Sequence, residues 1–302
     1  MSSITTIAWK FFTRKHNLRS AHSIIAKFCQ NNSNNERKDL RKIIAWIKNL
    51  CYDKIVFDAE NIYLDYQEES LFFSMLERYR KQEPVSKIIN CKSFWNNEFF
   101  VNSGVFDPRP ETELIIEMVL SKFDRRDNLK FLDIGIGSGC ILLSLLSEYK
   151  NSHGVGIDIC PEAIKIARYN QEKQGIKNAS FMLTDWRNFN SSKEFDVIVS
   201  NPPYIKTDDI SLLEVSVKDY DPLTALDGGT MGLNAYISIA SLAPQWLIPN
   251  GSMFLEIGRG QAADVSNILK NNGFQIKEIK KDSAGIDRIV WASVSPLPFP
   301  LD

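Results

Sequence analysis

Apolar residues recur along this chain with two different periods, and the change between them divides it. Over residues 4–29, Ile4, Ile7, Ala8, Phe11 and Phe12 fall on one side of a helix. Over 39–50, Ile43, Ile44 and Ile47 form a second stripe, and the stretch 64–79, LDYQEESLFFSMLERY, predicts a third helix. The polar run QNNSNNER at 30–37 predicts a loop. Residues 1–80 therefore read as a small all-helical unit whose cysteines and aromatics belong to its core. After Pro84 the apolar runs shorten. Residues 85–89 and 94–101 alternate with polar turns and predict a β-hairpin within a connector over 81–105.

From residue 106 the pattern changes again. Pro108 and Pro110 stiffen the segment 106–113 and keep it extended, and the apolar run 114–120 predicts a helix. Strands are then expected at 131–134, 155–157, 179–183, 195–199, 251–257, 274–280 and 288–294. Helices are expected at 141–149, 162–174, 233–247 and 261–271, with a helix or ordered loop at 210–217 and a turn at 227–229. This alternation predicts an α/β fold with a mostly parallel sheet covered on both faces. Ligands in such folds sit at the carboxyl ends of the strands.

The stretch FLDIGIGSGCILLSLLSEY at 131–149 is a strand, a tight turn and a helix. Gly135, Gly137 and Gly139 allow a sharp bend and leave main chain open to a ligand. The loop lacks the Lys and Ser/Thr of a phosphate-clamping loop, which argues against ATP or GTP. Its third glycine comes one residue too early for G-x-G-x-x-G, so a nicotinamide dinucleotide is not favoured. Asp158, about twenty residues beyond the loop, sits where a carboxylate accepts from ribose hydroxyls; the competing reading is an acidic cap for the helix opened by Pro161. Asp185 and Trp186 end the third strand, where an acid can accept from an exocyclic amine and an indole can stack on a base.

Asn201-Pro202-Pro203-Tyr204 follows the fourth strand. The Asn201 side-chain oxygen and the Pro202 carbonyl, held by two prolines, can each accept one hydrogen from a planar NH2 group while Tyr204 covers its face. That clamp suits an amide or amino nitrogen whose lone pair is to react.

Composition narrows the class. The 302 residues are 44% hydrophobic with a formal net charge of -1, which argues against a protein whose whole surface grips duplex nucleic acid. Five cysteines without paired spacing argue against a disulfide scaffold and a structural zinc site, and the histidines His16, His22 and His153 form no motif. No catalytic metal is implied. No apolar run is long enough to span a bilayer. Residues 1–30 carry Lys10, Arg14, Lys15, Arg19 and Lys27 with no acid, which reads as a basic first helix of a cytoplasmic protein, with an organelle transit peptide as the alternative.

Taken together, the blocks PVSKIIN at 84–90, FWNNEFFVNSGVFDPRPETE, LDIGIGSGCILLSLL, GVGIDICPEAIKIARYN, FDVIVSNPPYI, ALDGGTMGL, FLEIGRGQ and KDSAGIDRIV resemble the glutamine N5-methyltransferases of peptide chain release factors. These are class I S-adenosylmethionine-dependent methyltransferases with an NPPY motif, and the resemblance covers roughly residues 40–295. NPPY alone is shared with adenine methyltransferases of nucleic acid; the PRPETE block is more specific. Four positions depart from the family pattern: Ile136 stands for the usual Thr, Asp221 for a usual Glu before Pro222, and Phe106-Asp107 for an apolar pair.

The resemblance implies a Rossmann-like seven-stranded methyltransferase domain over 106–302, preceded by the helical substrate-binding domain and the hairpin connector. It implies S-adenosyl-L-methionine as cofactor and S-adenosyl-L-homocysteine as product. Gly135, Ile136, Gly137 and Gly139 would line the methionine part, with Asp133 anchoring that loop. Asp158 would hold the ribose, and Asp185 and Trp186 would frame the adenine. Asn201 and Pro202 would hold the substrate amide, with Pro203, Tyr204, Arg109 and Glu111 beside them. Phe100, Pro110 and Thr112 would close the pocket. The implied substrate is the glutamine of a Gly-Gly-Gln loop in a release factor, met by a monomer that needs neither nucleic acid nor membrane. The alternative is adenine N6 in nucleic acid, held by the same two oxygens.

Overall fold

The computed structural model describes residues 18–29, 34–192 and 194–294. The chain divides into two compact units, Met1–Ile89 and Asn90–Asp302. In the first, β1 (Arg19–Ser20) pairs antiparallel with β2 (Tyr63–Leu64), and helices span Ala21–Phe28, Asn34–Ile47, Tyr52–Asp58, Tyr66–Arg80 and Val85–Ile88. Their apolar stripes close on one core that includes Ile24, Leu40, Ile43, Ile44, Leu64 and Phe72. The Tyr66–Arg80 helix starts on a capping box: the Asp65 carboxylate accepts from the Glu68 N–H at 2.9 Å, and Glu68 accepts from the Asp65 N–H at 2.8 Å.

Three expectations change here. The helix over 4–29 lies in its first part outside the described residues; from residue 18 onward, 19–20 are strand and the helix begins only at Ala21, where the Ser20 hydroxyl accepts from the Ser23 N–H. The expected polar loop gives way to helix from Asn34, because Leu40, Ile43 and Ile44 bury a face that extends the helix back through polar residues. Residues 85–88 are a helical turn and not a strand. Pro84 at its N-cap leads in with extended backbone, and Val85 and Ile88, one turn apart, are both buried. The hairpin is formed later, by β3 (Lys92–Phe94) and β4 (Asn97–Phe99), with Phe94 and Phe99 buried edge-to-face.

The second unit carries the expected seven-stranded sheet. Its strands are β5 (Lys130–Ile134), β6 (His153–Asp158), β7 (Ala179–Leu183), β8 (Phe195–Ser200), β9 (Leu247–Glu256), β10 (Phe274–Lys281) and β11 (Asp287–Val294), in the order β10-β11-β9-β8-β5-β6-β7. β7, β6, β5, β8 and β9 run parallel, and β11 lies antiparallel between β9 and β10. Alternate residues of each strand point to opposite faces. Phe131 and Val197 therefore join one core layer, with helices Glu113–Lys122 and Cys140–Glu148. Leu132, Ile134 and Ile198 join the other, with helices Asn234–Leu242 and Ala262–Asn271. From β5 the chain winds outward through β6 and β7, then returns to place β8 on the other side of β5. The crevice at that reversal, outside the carboxyl ends of β5 and β8, is where such sheets bind ligands. Both the glycine loop and the NPPY segment emerge there. Among the described residues no helix is long and apolar enough to cross a membrane.

Candidate active site

The glycine loop is shaped by its own backbone. Gly135, Gly137 and Gly139 take φ of +76°, +52° and +84°, conformations that L side chains rarely adopt. A Cβ at Gly135 or Gly137 would meet nothing within 4 Å, so the loop presents bare main chain beside open space. The Gly135 and Ile136 N–H groups donate to the Ile157 carbonyl at 2.9 and 3.0 Å and so fasten the loop to the end of β6. Asp158 accepts from the Gly137 N–H at 3.0 Å through one oxygen and from the Cys160 N–H at 2.9 Å through the other. Burial raises the Asp158 carboxyl above its ordinary value, against the pull of these N–H donors. Asp133 is completely buried; one of its oxygens accepts from the Leu142 N–H at 3.2 Å and the other, Oδ1, has no partner among the described residues. Its carboxyl is held well above the usual range, first by desolvation and then by the nearby Asp158.

Across the crevice, the Ser200 hydroxyl at the end of β8 donates to the Ile134 carbonyl at 2.7 Å and locks the two strand ends together. Asn201 follows immediately, and its Nδ2 donates to Thr112 Oγ1 at 3.2 Å. The Thr112 hydroxyl in turn donates to Glu256 Oε2 at 2.6 Å, and the Tyr204 hydroxyl donates to Glu256 Oε1 at 3.3 Å. Glu256 closes β9 and is buried; desolvation raises its carboxyl to about 7. Burial, followed by the Glu256 charge, pushes the Tyr204 phenol well up. Behind the NPPY turn, the Gln261 side chain donates to the carbonyls of Tyr204 and Gly232 at 3.0 and 3.1 Å. Gly232 takes φ +69°, and a Cβ there would collide with the Tyr204 carbonyl oxygen, so this backbone approach requires glycine.

The PRPETE segment is tied down from the other side. The Arg109 guanidinium pairs with Asp221 at 2.9 Å, and the buried Asp221 carboxylate also accepts from the Asp107 N–H at 3.1 Å. The guanidinium also lies over the Phe106 ring at 5.0 Å. Asp221, in place of the longer Glu, thus reaches its partners.

A cavity of about 330 Å³ opens between these walls. Of the residues expected at the site, Arg109, Thr112, Gly135, Ile136, Gly137, Asp158, Trp186, Asn201, Pro203 and Tyr204 line it. The remaining seven stand outside that lining. Phe100 is held through its backbone by Asn170, which accepts from its N–H at 2.7 Å and donates to its carbonyl at 3.0 Å. Pro110 and Glu111 form the short 3-10 turn that carries Thr112. Asp133, Gly139 and Pro202 are buried beneath the two loops. Asp185 is an N-cap: it accepts from the Arg187 N–H at 2.8 Å and pairs with the Arg187 guanidinium, whose hydrogen bonds hold the carboxyl below its ordinary range. Trp186, on the turn that Asp185 caps, donates from its indole to Ser238 at 2.9 Å.

Sequence reasoning missed two parts of this site. One is the apolar wall of Leu213, Val217, Pro222 and Leu226, built from short helical turns too brief to show a period. The other is Glu256. Its only signal is an acid at the end of an otherwise apolar strand, FLE, which is where a sheet of this kind carries its chemistry.

Comparison with known proteins bears on the family and the fold. A family model described as "Methyltransferase domain" matches residues 125–228. A curated release factor glutamine methyltransferase from Thermodesulfovibrio yellowstonii is 40% identical over 255 residues, covering 84% of this chain and 91% of the relative. Another, from Rhodospirillum rubrum, is 37% identical over 266 residues, covering 87% of this chain and 81% of the relative. Among solved structures, a methyltransferase from Pyrococcus furiosus aligns with a TM-score of 0.51 at 16% identity, covering 76% of this chain and 98% of that one, a likeness of fold alone.

Proposed function

This chain belongs to the release factor glutamine methyltransferase family, and from that membership we infer that it transfers a methyl group from S-adenosyl-L-methionine to the side-chain amide nitrogen of a glutamine in a peptide chain release factor. The glutamine is that of a Gly-Gly-Gln loop, whose side-chain-free backbone can approach a narrow cavity closely. The cavity's chemistry fits the cofactor. Bare main chain at Gly135 and Gly137 leaves room beside the loop, and the Asp158 carboxylate, already oriented by two N–H groups, keeps lone pairs for hydroxyl donors. Gly135, Ile136 and Gly137 would hold the methionine part, with Gly139 and Asp133 shaping the loop from beneath. Asp158 would hold the ribose. Trp186 would face the adenine, with Asp185 acting through the turn it caps.

The cofactor's sulfonium supplies an activated methyl group, so the protein need contribute no nucleophile of its own. Its task is to orient a poor one, since an amide nitrogen has a delocalised lone pair. Asn201 and Pro202 each accept one hydrogen of the substrate NH2 group and so aim the nitrogen; a reacting separation of about 3–3.5 Å is what productive orientation requires. Tyr204 and Pro203 bound the amide, while Thr112 and Arg109 wall the cavity on the PRPETE side. Phe100, Pro110 and Glu111 support that side through the backbone. We assign substrate gripping to the helical unit, residues 1–80, with 81–105 as the connector to the methyltransferase domain at 106–302. A cytoplasmic monomer acting on the release factor without nucleic acid completes the reading.

The observation that carries the glutamine reading is the 40% identity over 84% of the chain to a release factor glutamine methyltransferase; the orientation of Asn201, whose NH2 turns to Thr112 and leaves its carbonyl oxygen to accept, supports a clamp for a planar NH2 group. The test offers the chain a release factor, the same factor with its loop glutamine changed to alanine, and adenine-containing DNA, and reads labelled methyl in each. Transfer to the first alone is expected. Transfer to DNA, or undiminished transfer to the alanine variant, would end the glutamine assignment.

A further inference from the structure

The hydrogen bonds of Asn201 run through Thr112 to Glu256, a residue outside the cavity lining. An amide can face its neighbours either way round, and only its partners decide which. Here the partner is Thr112, whose hydroxyl has one proton. That proton is committed to Glu256 Oε2 at 2.6 Å. Thr112 Oγ1 can therefore only accept from Asn201, and Asn201 must turn its NH2 toward Thr112, as the 3.2 Å contact records. Its oxygen is left for the cavity that Asn201 lines. We propose that Glu256, acting through Thr112, is the positioning residue that sets the side-chain orientation of Asn201 and so decides whether the clamp presents an acceptor or a donor. The inference deepens the glutamine reading above, on which the identity of the accepted group rests.

The relay is fixed in this direction while Glu256 is ionised and becomes reversible once it is protonated. As a carboxylate it accepts from both Thr112 and Tyr204. As a carboxylic acid it has a proton to give. Donated to Thr112 Oγ1, that proton displaces the threonine hydrogen, and the acceptor within reach is Asn201 Oδ1. The Asn201 amide then turns over and offers NH2 to the substrate's own NH2, donor against donor. The groups facing Glu256 are Thr112, the Tyr204 phenol, Arg288 and Glu111, with the Tyr236 hydroxyl on its backbone carbonyl at 2.9 Å and the Cys140 thiol nearby. Both phenols are held well above neutrality by burial, and the thiol is pushed up to about 12. Glu256 is raised to about 7 by desolvation, so the acceptor-presenting state prevails above that pH and fades as pH falls through it.

The test compares wild type with Glu256→Leu, Glu256→Gln, Thr112→Val and Thr112→Ser on the same release factor. Glu256→Leu, which leaves the Thr112 hydroxyl no acceptor, and Thr112→Val should lower kcat about tenfold or more while leaving KM for the release factor and the affinity for S-adenosyl-L-homocysteine within about twofold, the split expected when orientation and not binding is lost. Thr112→Ser, which keeps the relay hydroxyl, should recover kcat to within about threefold of wild type. The wild-type profile of kcat should show an acid limb with a midpoint near 7 that Glu256→Gln lacks. Folded Glu256→Leu and Thr112→Val proteins turning over at the wild-type rate, a serine variant no better than the valine one, or an acid limb retained in Glu256→Gln, would overturn the proposal. An activity-independent measurement separates this from failure of the functional reading: hydrogen exchange of the Asn201 side-chain NH2 by NMR. It should be protected in wild type and lose protection in Thr112→Val. Equal exchange in the two proteins overturns the relay, whereas protected exchange with no transfer to any release factor overturns the glutamine reading instead.

Discussion

At the scale of single residues, the site separates binding from orientation. Asp158 joins the end of β6 to the glycine loop, and its two oxygens accept N–H groups from Gly137 and Cys160. Asp158→Ala removes that support together with a charged acceptor for the ribose. A hydrogen bond to a charged group is worth about 1.5–3 kcal/mol. Calorimetry with S-adenosyl-L-homocysteine should therefore show affinity falling at least about tenfold; unchanged affinity would move the ribose elsewhere. Asn201 is tied to Thr112 and lies away from the glycine loop's hydrogen bonds. Asn201→Ala should keep product affinity and lose about a hundredfold in turnover, because misplacing the reacting nitrogen by about 1 Å costs on that order. Loss of both affinity and turnover would mean that Asn201 helps to build the cofactor cavity.

Between elements, the NPPY turn depends on backbone packed behind it. Gly232 comes from the loop before helix Asn234–Leu242 and lies against the Tyr204 carbonyl with positive φ. Gly232→Ala combines left-handed backbone with a collision against main chain that cannot rotate away. Strain of this kind costs of order 1–3 kcal/mol, and denaturant unfolding should register it. A variant as stable as wild type would show that the turn relaxes freely. The same dependence on neighbours explains what the pattern of apolar residues misread. Residues 85–88 carry apolar positions that suit a short strand, but Pro84 opens a helical turn and Val85 and Ile88 bury on one side of it. Trp95 and Asn96 form the turn of the hairpin, with Trp95 at φ +54° and its N–H donating to Glu113 at 2.8 Å; that bond joins residues 18 apart, beyond any local period.

Over the whole methyltransferase unit, contacts far apart in sequence hold the cavity walls. Arg109 meets Asp221 across 112 positions, and Thr112 meets Glu256 across 144. The Asp221 side chain is fully buried and Arg109 is 30% exposed. Truncating one partner of a fully buried pair costs about 3–5 kcal/mol; solvent at Arg109 reduces this, so Arg109→Ala should destabilise by about 1–3 kcal/mol. Thermal melting checks this, and no shift would mean that other partners carry the PRPETE wall.

The sequence by itself determined the α/β alternation, because strand and helix periods are local: inner strands such as β8, FDVIVS, carry short apolar runs, and the edge strand β10, FQIKEIKK, alternates. It also brought the glycine loop and NPPY to notice, since both emerge at strand ends and both need residue types with special backbones. Their adjacency was left to topology: the chain returns past β5 before entering β8, and only that crossing sets the two loops side by side. Tertiary structure also decided which candidates line the cavity. Asp185 and Trp186 are neighbours in sequence, yet Arg187 takes the carboxylate while the indole borders the cavity. Glu256 stayed hidden in the sequence because its importance lies in what touches it. A buried carboxylate becomes an orienting group only when Thr112 and Tyr204, arriving from other parts of the chain, spend their protons on it.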